Sequence, residues 1–149
     1  MAIDNILKAA RERARQMGLP YEGALLPQEA YQIWKEAPNA QLVDVRTRAE
    51  WDWVGRIPGS TEIELLMYPG SQPNPAFLAA LAQKVGKDAP VMFICRSGGR
   101  SHNAAMLAMQ AGYAECYNVL EGFEGDRDAS GHRNTQGGWR AAGLPWSQS

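Results

Sequence analysis

The sequence has little cysteine, little histidine, no long apolar run and no excess of charge of either sign. Two cysteines in 149 residues cannot build a disulfide framework or a four-cysteine zinc site. Fifteen Lys and Arg stand against 16 Asp and Glu, for a net charge of −1. That balance lacks the bulk basic field that nucleic acid or anionic lipid attracts. The longest apolar stretches, Ala76–Ala82 and Ala89–Cys95, suit core elements and fall far short of a membrane span. The N-terminal stretch lacks the apolar centre of a secretory signal. The expectation is a cytoplasmic protein with no nucleic-acid or membrane partner.

What is present is an ordinary globular composition. Hydrophobic residues make up 45% and charged residues 21%, which excludes wholesale disorder. The length fits one domain that needs no covalent or metal staple. Ile3, Ile6, Leu7, Ala10, Ala14 and Met17 recur at helical spacing, with Lys8, Arg11, Arg13 and Arg15 on the other faces. This amphipathic helix ends at Gly18, before Pro20. Asp4 and Glu12 argue against a transit peptide or a basic membrane-surface helix. We read it as a helix docked on the domain, with residues 1–24 as helix and linker and 25–149 as the globular unit.

The rest alternates between strand and helix patterns. Leu42–Val45, Glu62–Leu66, Val91–Ile94 and Glu115–Val119 read as strands. Pro27–Glu36, Arg48–Val54, Pro75–Val85 and Ser101–Ala111 read as helices, with Pro27 and Pro75 suited to a first turn. Strands interleaved with helices imply an α/β fold with a mostly parallel sheet. Gly122–Gly138 is rich in Gly, Asp and Arg and has no apolar periodicity. It reads as a long loop, either a lid, a partner-docking segment or a passive insertion. A short helix over Gly138–Ala142 follows.

The chemistry concentrates in Cys95-Arg96-Ser97-Gly98-Gly99-Arg100-Ser101. It joins the end of a buried strand to the start of a helix, the sheet edge where α/β proteins bind ligands. Gly98 and Gly99 permit backbone conformations in which successive N–H groups curl inward as an anion nest. The helix behind adds unpaired N–H groups and its positive dipole end. Arg96 and Arg100 add full charges. Such a cradle favours thiolate over thiol, and a thiolate so placed attacks electrophilic sulfur or phosphorus.

This loop resembles the active-site loop of the rhodanese superfamily. Leu42-Val43-Asp44-Val45-Arg46 and Gly55-Arg56-Ile57-Pro58-Gly59-Ser60 are similar to its second signature, with Arg56 in place of the usual His and Ser60 in place of Ala. Gly138–Pro145 resembles its closing segment. Together the matches run in order from about Leu25 to Trp146. The resemblance implies a rhodanese-like fold, a sheet of about five parallel strands with helices on both faces, here with an extra N-terminal helix. It implies that Cys95 accepts a sulfane sulfur, becomes a persulfide and passes the sulfur to a thiol or cyanide. Arg96 and Arg100 would then bind a small anionic donor such as thiosulfate, the backbone of Ser97, Gly98 and Gly99 would hold the persulfide, and Ser101 completes the substrate-binding set. A protein sulfur donor or acceptor is the alternative partner. In this superfamily sulfurtransferase loops have six residues, and phosphatase loops have seven and end in the Arg of Cys-x5-Arg. Here Arg100 is the sixth residue from Cys95, which favours sulfur over phosphorus.

Other candidates read as structural. Asp44 needs a partner in its buried strand, from backbone N–H groups or Arg46, and the pair supports the loop from behind. Cys116 reads as a core residue rather than a resolving thiol. His102 reads as solvated on the first turn of its helix. Asp126–Gly131 mimics half of a calcium loop, but its twelfth position is Gly137, so the acidic ligand is missing. No metal and no cofactor are expected. Trp34, Trp51, Trp53, Trp139 and Trp146 read as packing residues.

Overall fold

A computed structural model describes residues 2–148. Its frame is a five-stranded, all-parallel sheet in the order β1 (Gly23–Leu25), β7 (Glu115–Val119), β6 (Pro90–Ile94), β2 (Gln41–Asp44), β3 (Thr61–Glu62). Parallel neighbours need crossover connections. The chain supplies α1 (Ala2–Met17), α2 (Pro27–Glu36), α3 (Arg48–Trp53), α4 (Phe77–Lys84) and α5 (Gly99–Gln110). Both sheet faces are therefore covered, which is why the central strands read as continuous apolar runs.

Side chains alternate between the two faces. Val43, Val91, Phe93 and Cys116 meet Phe77 and Leu81 of α4 and Ala104, Ala105 and Ala108 of α5. Leu42, Met92, Ile94, Tyr117 and Val119 meet Ala10 of α1 and Ala30 and Ile33 of α2. Ala10 is fully buried and Ala14 is 2% exposed, so α1 lays its small apolar stripe on the domain. Arg13 ties it there, paired with Glu29 of α2 at 3.0 Å. Three expectations are corrected. Glu62–Leu66 is not one strand: it divides between β3 and a separate two-stranded hairpin, β4 (Leu66–Met67) with β5 (Gln72–Pro73). Gly138–Ala142 is a series of turns, opened by Gly138 at φ +106°. Trp53 does not pack in the core, being 80% exposed, although Trp51 and Trp139 are buried.

The carboxyl edge of the sheet carries a fully buried ion pair. Asp44 and Arg46 are both 0% exposed. The Arg46 Nη2 donates to Asp44 Oδ2 at 2.8 Å and to the Gly55 carbonyl at 2.8 Å. The Arg46 backbone N–H donates to Asp44 Oδ1 at 3.1 Å. The guanidinium also lies 4.1 Å from the Phe123 ring centroid. Removing one charge from such a pair strands the other in low dielectric, at a cost of about 3–5 kcal/mol. Asp44→Asn is expected to lower the unfolding free energy by that amount, read as a lower urea midpoint at unchanged slope. A shift worth less than about 1 kcal/mol, the scale of an exposed pair, would remove this pair from the account of stability.

Candidate active site

Cys95 follows the last residue of β6, and α5 begins at Gly99. The turn between them depends on Gly98, which sits at φ +114°, ψ −10°, a region that L side chains avoid. That conformation aims the Gly98 N–H at the Cys95 Sγ, 3.2 Å away. It also lets the Gly98 carbonyl accept from His102 N–H at 3.2 Å, so α5 starts on the residue that cradles the sulfur.

A second contact comes from Ser101, whose Oγ lies 3.3 Å from Sγ. Ser101 is fully buried and donates its one hydroxyl proton to Asn118 Oδ1 at 2.6 Å. The Cys95 thiol is therefore the donor toward Ser101 in this arrangement. The Asn118 Nδ2 donates to the Gly98 carbonyl at 3.2 Å. Asn118 is in register with Phe93 across the β6–β7 pair. One side chain thus fixes both the loop apex and the hydroxyl beside Cys95.

The outer wall is built by α3. Thr47 caps this helix, accepting the Glu50 N–H at 3.3 Å, while Thr47 N–H and Oγ1 donate to Glu50 Oε1 at 3.0 Å each. The same carboxylate takes both Nη groups of Arg100, at 2.6 and 2.9 Å. The expectation that Arg100 is free to bind an anionic donor is modified accordingly: its charge already has a partner. Arg96 is exposed and has no ion-pair partner among the described residues. Arg96, Arg100 and Glu50 line an open cavity of about 650 Å³ with Trp53, Tyr68 and Glu124. Cys95 itself is 1% exposed and lies inside the loop, withheld from bulk water.

The segment after Glu121 is part of this construction. Phe123 N–H donates to the Cys95 carbonyl at 2.8 Å, and Glu124 N–H to the Arg96 carbonyl at 3.0 Å. A Cβ on Gly122 would meet the Cys95 carbonyl oxygen at 2.5 Å, so only glycine permits the approach. The loop expected to be a lid or an insertion is, at its start, a brace. Farther along, Asp128 accepts from Ser130 N–H, His132 N–H and Thr135 Oγ1, each at 2.9 Å, and closes a local turn. His102 differs from expectation: its Nδ1 lies 2.7 Å from Tyr21 Oη, so the ring is held rather than solvated. Cys116 is 1% exposed, and burial pushes its thiol up to about 12. That disfavours the thiolate a resolving cysteine requires.

Residues 26–129 match the rhodanese-like domain family. The chain belongs to that family. Its members are of sulfurtransferase type, and their fold is the one described above. Among solved structures, that of Rv0390 from M. tuberculosis is 43% identical, has a TM-score of 0.80, and covers 87% of this chain and 99% of its own. The polysulfide-sulfur transferase homodimer of Wolinella succinogenes is 20% identical with a TM-score of 0.59, covering 99% of this chain and 88% of its own, and shares the fold. An uncharacterized protein of Rickettsia prowazekii is 38% identical over 122 residues, 79% of this chain and 91% of its own. Among the described residues, no helix is long and apolar enough to cross a membrane.

Two contributors to this rhodanese-like site escape a motif reading. Asn118 sits in an apolar strand pattern, and only the pairing of β6 with β7 brings it to the loop. Glu50 carries a signal: Thr47-x-x-Glu50 is a capping-box pattern, although its second role with Arg100 is tertiary. Burial acts to raise the Glu50 carboxyl, but the Arg100 bond and the Thr47 N–H outweigh it and hold Glu50 at about 2. Its folded value lies below its ordinary 4.5, so its contribution is present above pH 4.5 and is lost as pH falls toward 2. Stability is expected to drop by on the order of 2 kcal/mol over that window, after allowance for solvent screening. Glu50→Gln keeps a capping side chain and should flatten that part of the pH–stability curve. An unchanged curve would show that the pair adds nothing to folding.

Proposed function

We propose that this protein moves a sulfane sulfur from a donor to a thiophilic acceptor through a persulfide on Cys95. The observation that carries this reading is the Gly98 N–H aimed at the Cys95 Sγ at 3.2 Å, at the N-terminus of the 12-residue helix α5. An N–H and a positive helix end beside one sulfur can meet the negative charge that sulfur transfer places there. The loop from Cys95 to Arg100 has six residues, the length that the resemblance links to sulfur rather than phosphoryl transfer.

With thiosulfate as donor, the Cys95 thiolate attacks the outer sulfur. The donor S–S bond breaks, sulfite leaves with the bonding pair, and a Cys95 persulfide remains. In the second half-reaction cyanide or a thiolate attacks the terminal sulfur and regenerates the Cys95 thiolate. Charge and atoms balance in each step, and the sequence is of ping-pong type. Arg96 meets the incoming anion, while Ser101 and Asn118 keep the sulfur and the loop apex in place. Asp44, Arg46 and Glu50 act through the loop and the wall rather than on the substrate.

Incubation with thiosulfate is expected to add one sulfur atom to the Cys95 peptide by mass, and addition of cyanide to release thiocyanate and restore the original mass. Cys95→Ser should lose both signals with an unchanged melting temperature. Full turnover by Cys95→Ser would sink the mechanism.

A further inference from the structure

The cavity over the loop is large for the smallest sulfur donors. Its volume of about 650 Å³ falls in the range of about 300–1,000 Å³ that encloses drug-sized organic ligands. Thiosulfate is far smaller. The charges in the wall also cancel: Arg96 and Arg100 stand against Glu50 and Glu124. Arg100 is already engaged by both oxygens of Glu50. A dianion coming from water gives up its hydration and finds one unengaged cation, Arg96, beside two carboxylates.

The remaining wall mixes the polar Thr47 and Ser71 with apolar and aromatic side chains. Trp53 and Tyr68 are 80% and 70% exposed, and both line the cavity with Val54 and Leu66. Their exposure means that neither ring owes its place to packing inside the fold. Large rings in the same cavity as Arg96 and Arg100 of the loop offer area to a ligand with an apolar body. Their benefit is realised only when that body displaces water from them.

We propose that the donor selected by this site is an organic hydropersulfide, R–S–SH, with an apolar, ring-sized body. This inference rests on sulfur transfer at Cys95. The body lies against Trp53 and Tyr68. The Cys95 thiolate attacks the outer sulfur of R–S–SH. The donor S–S bond breaks, its electron pair leaves on R–S⁻, and the proton stays on the transferred sulfur of the new Cys95 persulfide. No oxidant or reductant enters. Glu50, by occupying Arg100, sets the preference against a small dianion.

The test compares benzyl hydropersulfide, methyl hydropersulfide and thiosulfate as donors to the full chain. The readout is the rate of one-sulfur mass gain on the Cys95 peptide, with Cys95→Ser as blank. The benzyl donor is expected to act roughly tenfold faster than the methyl donor, the scale set by a modest change in apolar contact. In the Trp53→Ala, Tyr68→Ala double variant that ratio should fall to near unity. Glu50→Gln frees Arg100 and should speed charging by thiosulfate several-fold while the benzyl-to-methyl ratio persists. A ratio near unity in the unaltered protein, or one that survives loss of both rings, overturns the inference and assigns the aromatic lip to a protein partner. An unchanged thiosulfate rate in Glu50→Gln overturns the charge selection. No mass gain from any donor overturns sulfur transfer itself.

Discussion

The arrangement around Cys95 depends on a guanidinium that never meets solvent. Arg46 is fully buried, and it joins two neighbouring parts of the chain to a third that is distant in sequence. Its bonds to Asp44 hold it to the end of β2, its bond to Gly55 fixes the residue just past α3, and its face lies on Phe123. Phe123 in turn holds the Cys95 carbonyl. A buried charge is costly without a partner, so no element that satisfies Arg46 can drift without exposing that cost. The rear of the active-site loop is fixed by this demand rather than by the loop's own sequence.

The front of the loop is fixed by a different set of bonds. Asn118 holds Ser101 and the Gly98 carbonyl, and the Gly98 N–H reaches the sulfur. The carbonyl side of Cys95 answers to the Arg46 platform and the sulfur side to β7. The two supports approach from opposite directions, so the backbone between them has little freedom. This is the preorganisation that a nucleophile needs when its negative charge must be met at the moment of attack rather than after a rearrangement. It also explains why a loop so rich in glycine can be held in one shape.

Much of the frame was legible in the sequence because it follows local rules. The amphipathic period of α1, the strand of Glu115–Val119 and the Pro27–Glu36 helix all emerge at the expected positions. A partner for Asp44, backbone N–H groups or Arg46, followed from the cost of a lone buried carboxylate, and Asp44 takes both. What could not be read was whatever depends on pairing across the sheet. β1 has three residues, too few to carry a period, and it exists because Gly23, Ala24 and Leu25 pair with Tyr117, Asn118 and Val119. Asn118 is a polar residue inside an apolar strand pattern, and only the register places it beside Phe93. The Gly122 segment looked structureless because its order comes from backbone bonds to Cys95 and Arg96, which leave no pattern in side-chain type. Arg100 was identified as a residue of the site, but its charge could not be assigned without Glu50, 50 positions away.

That last point changes how charge should be read in this protein. The whole chain is nearly neutral, with 15 cationic against 16 acidic side chains. A near-zero total is compatible with a strongly cationic site, and the loop sequence alone suggests one. The structure repeats the neutrality at short range instead. Two arginines of the loop face two glutamates from α3 and from the brace. One arginine is fully engaged, so the field that remains comes from Arg96 and from the aligned N–H groups at the start of α5. The Gly98 N–H is directed at the Cys95 Sγ, and the positive end of α5 acts over about one turn. Little of the cationic charge of the loop is left to collect anions from solution. Selection of what reaches the sulfur then falls to shape and apolar surface, supplied by Trp53 and Tyr68, two residues that the fold itself leaves largely in water.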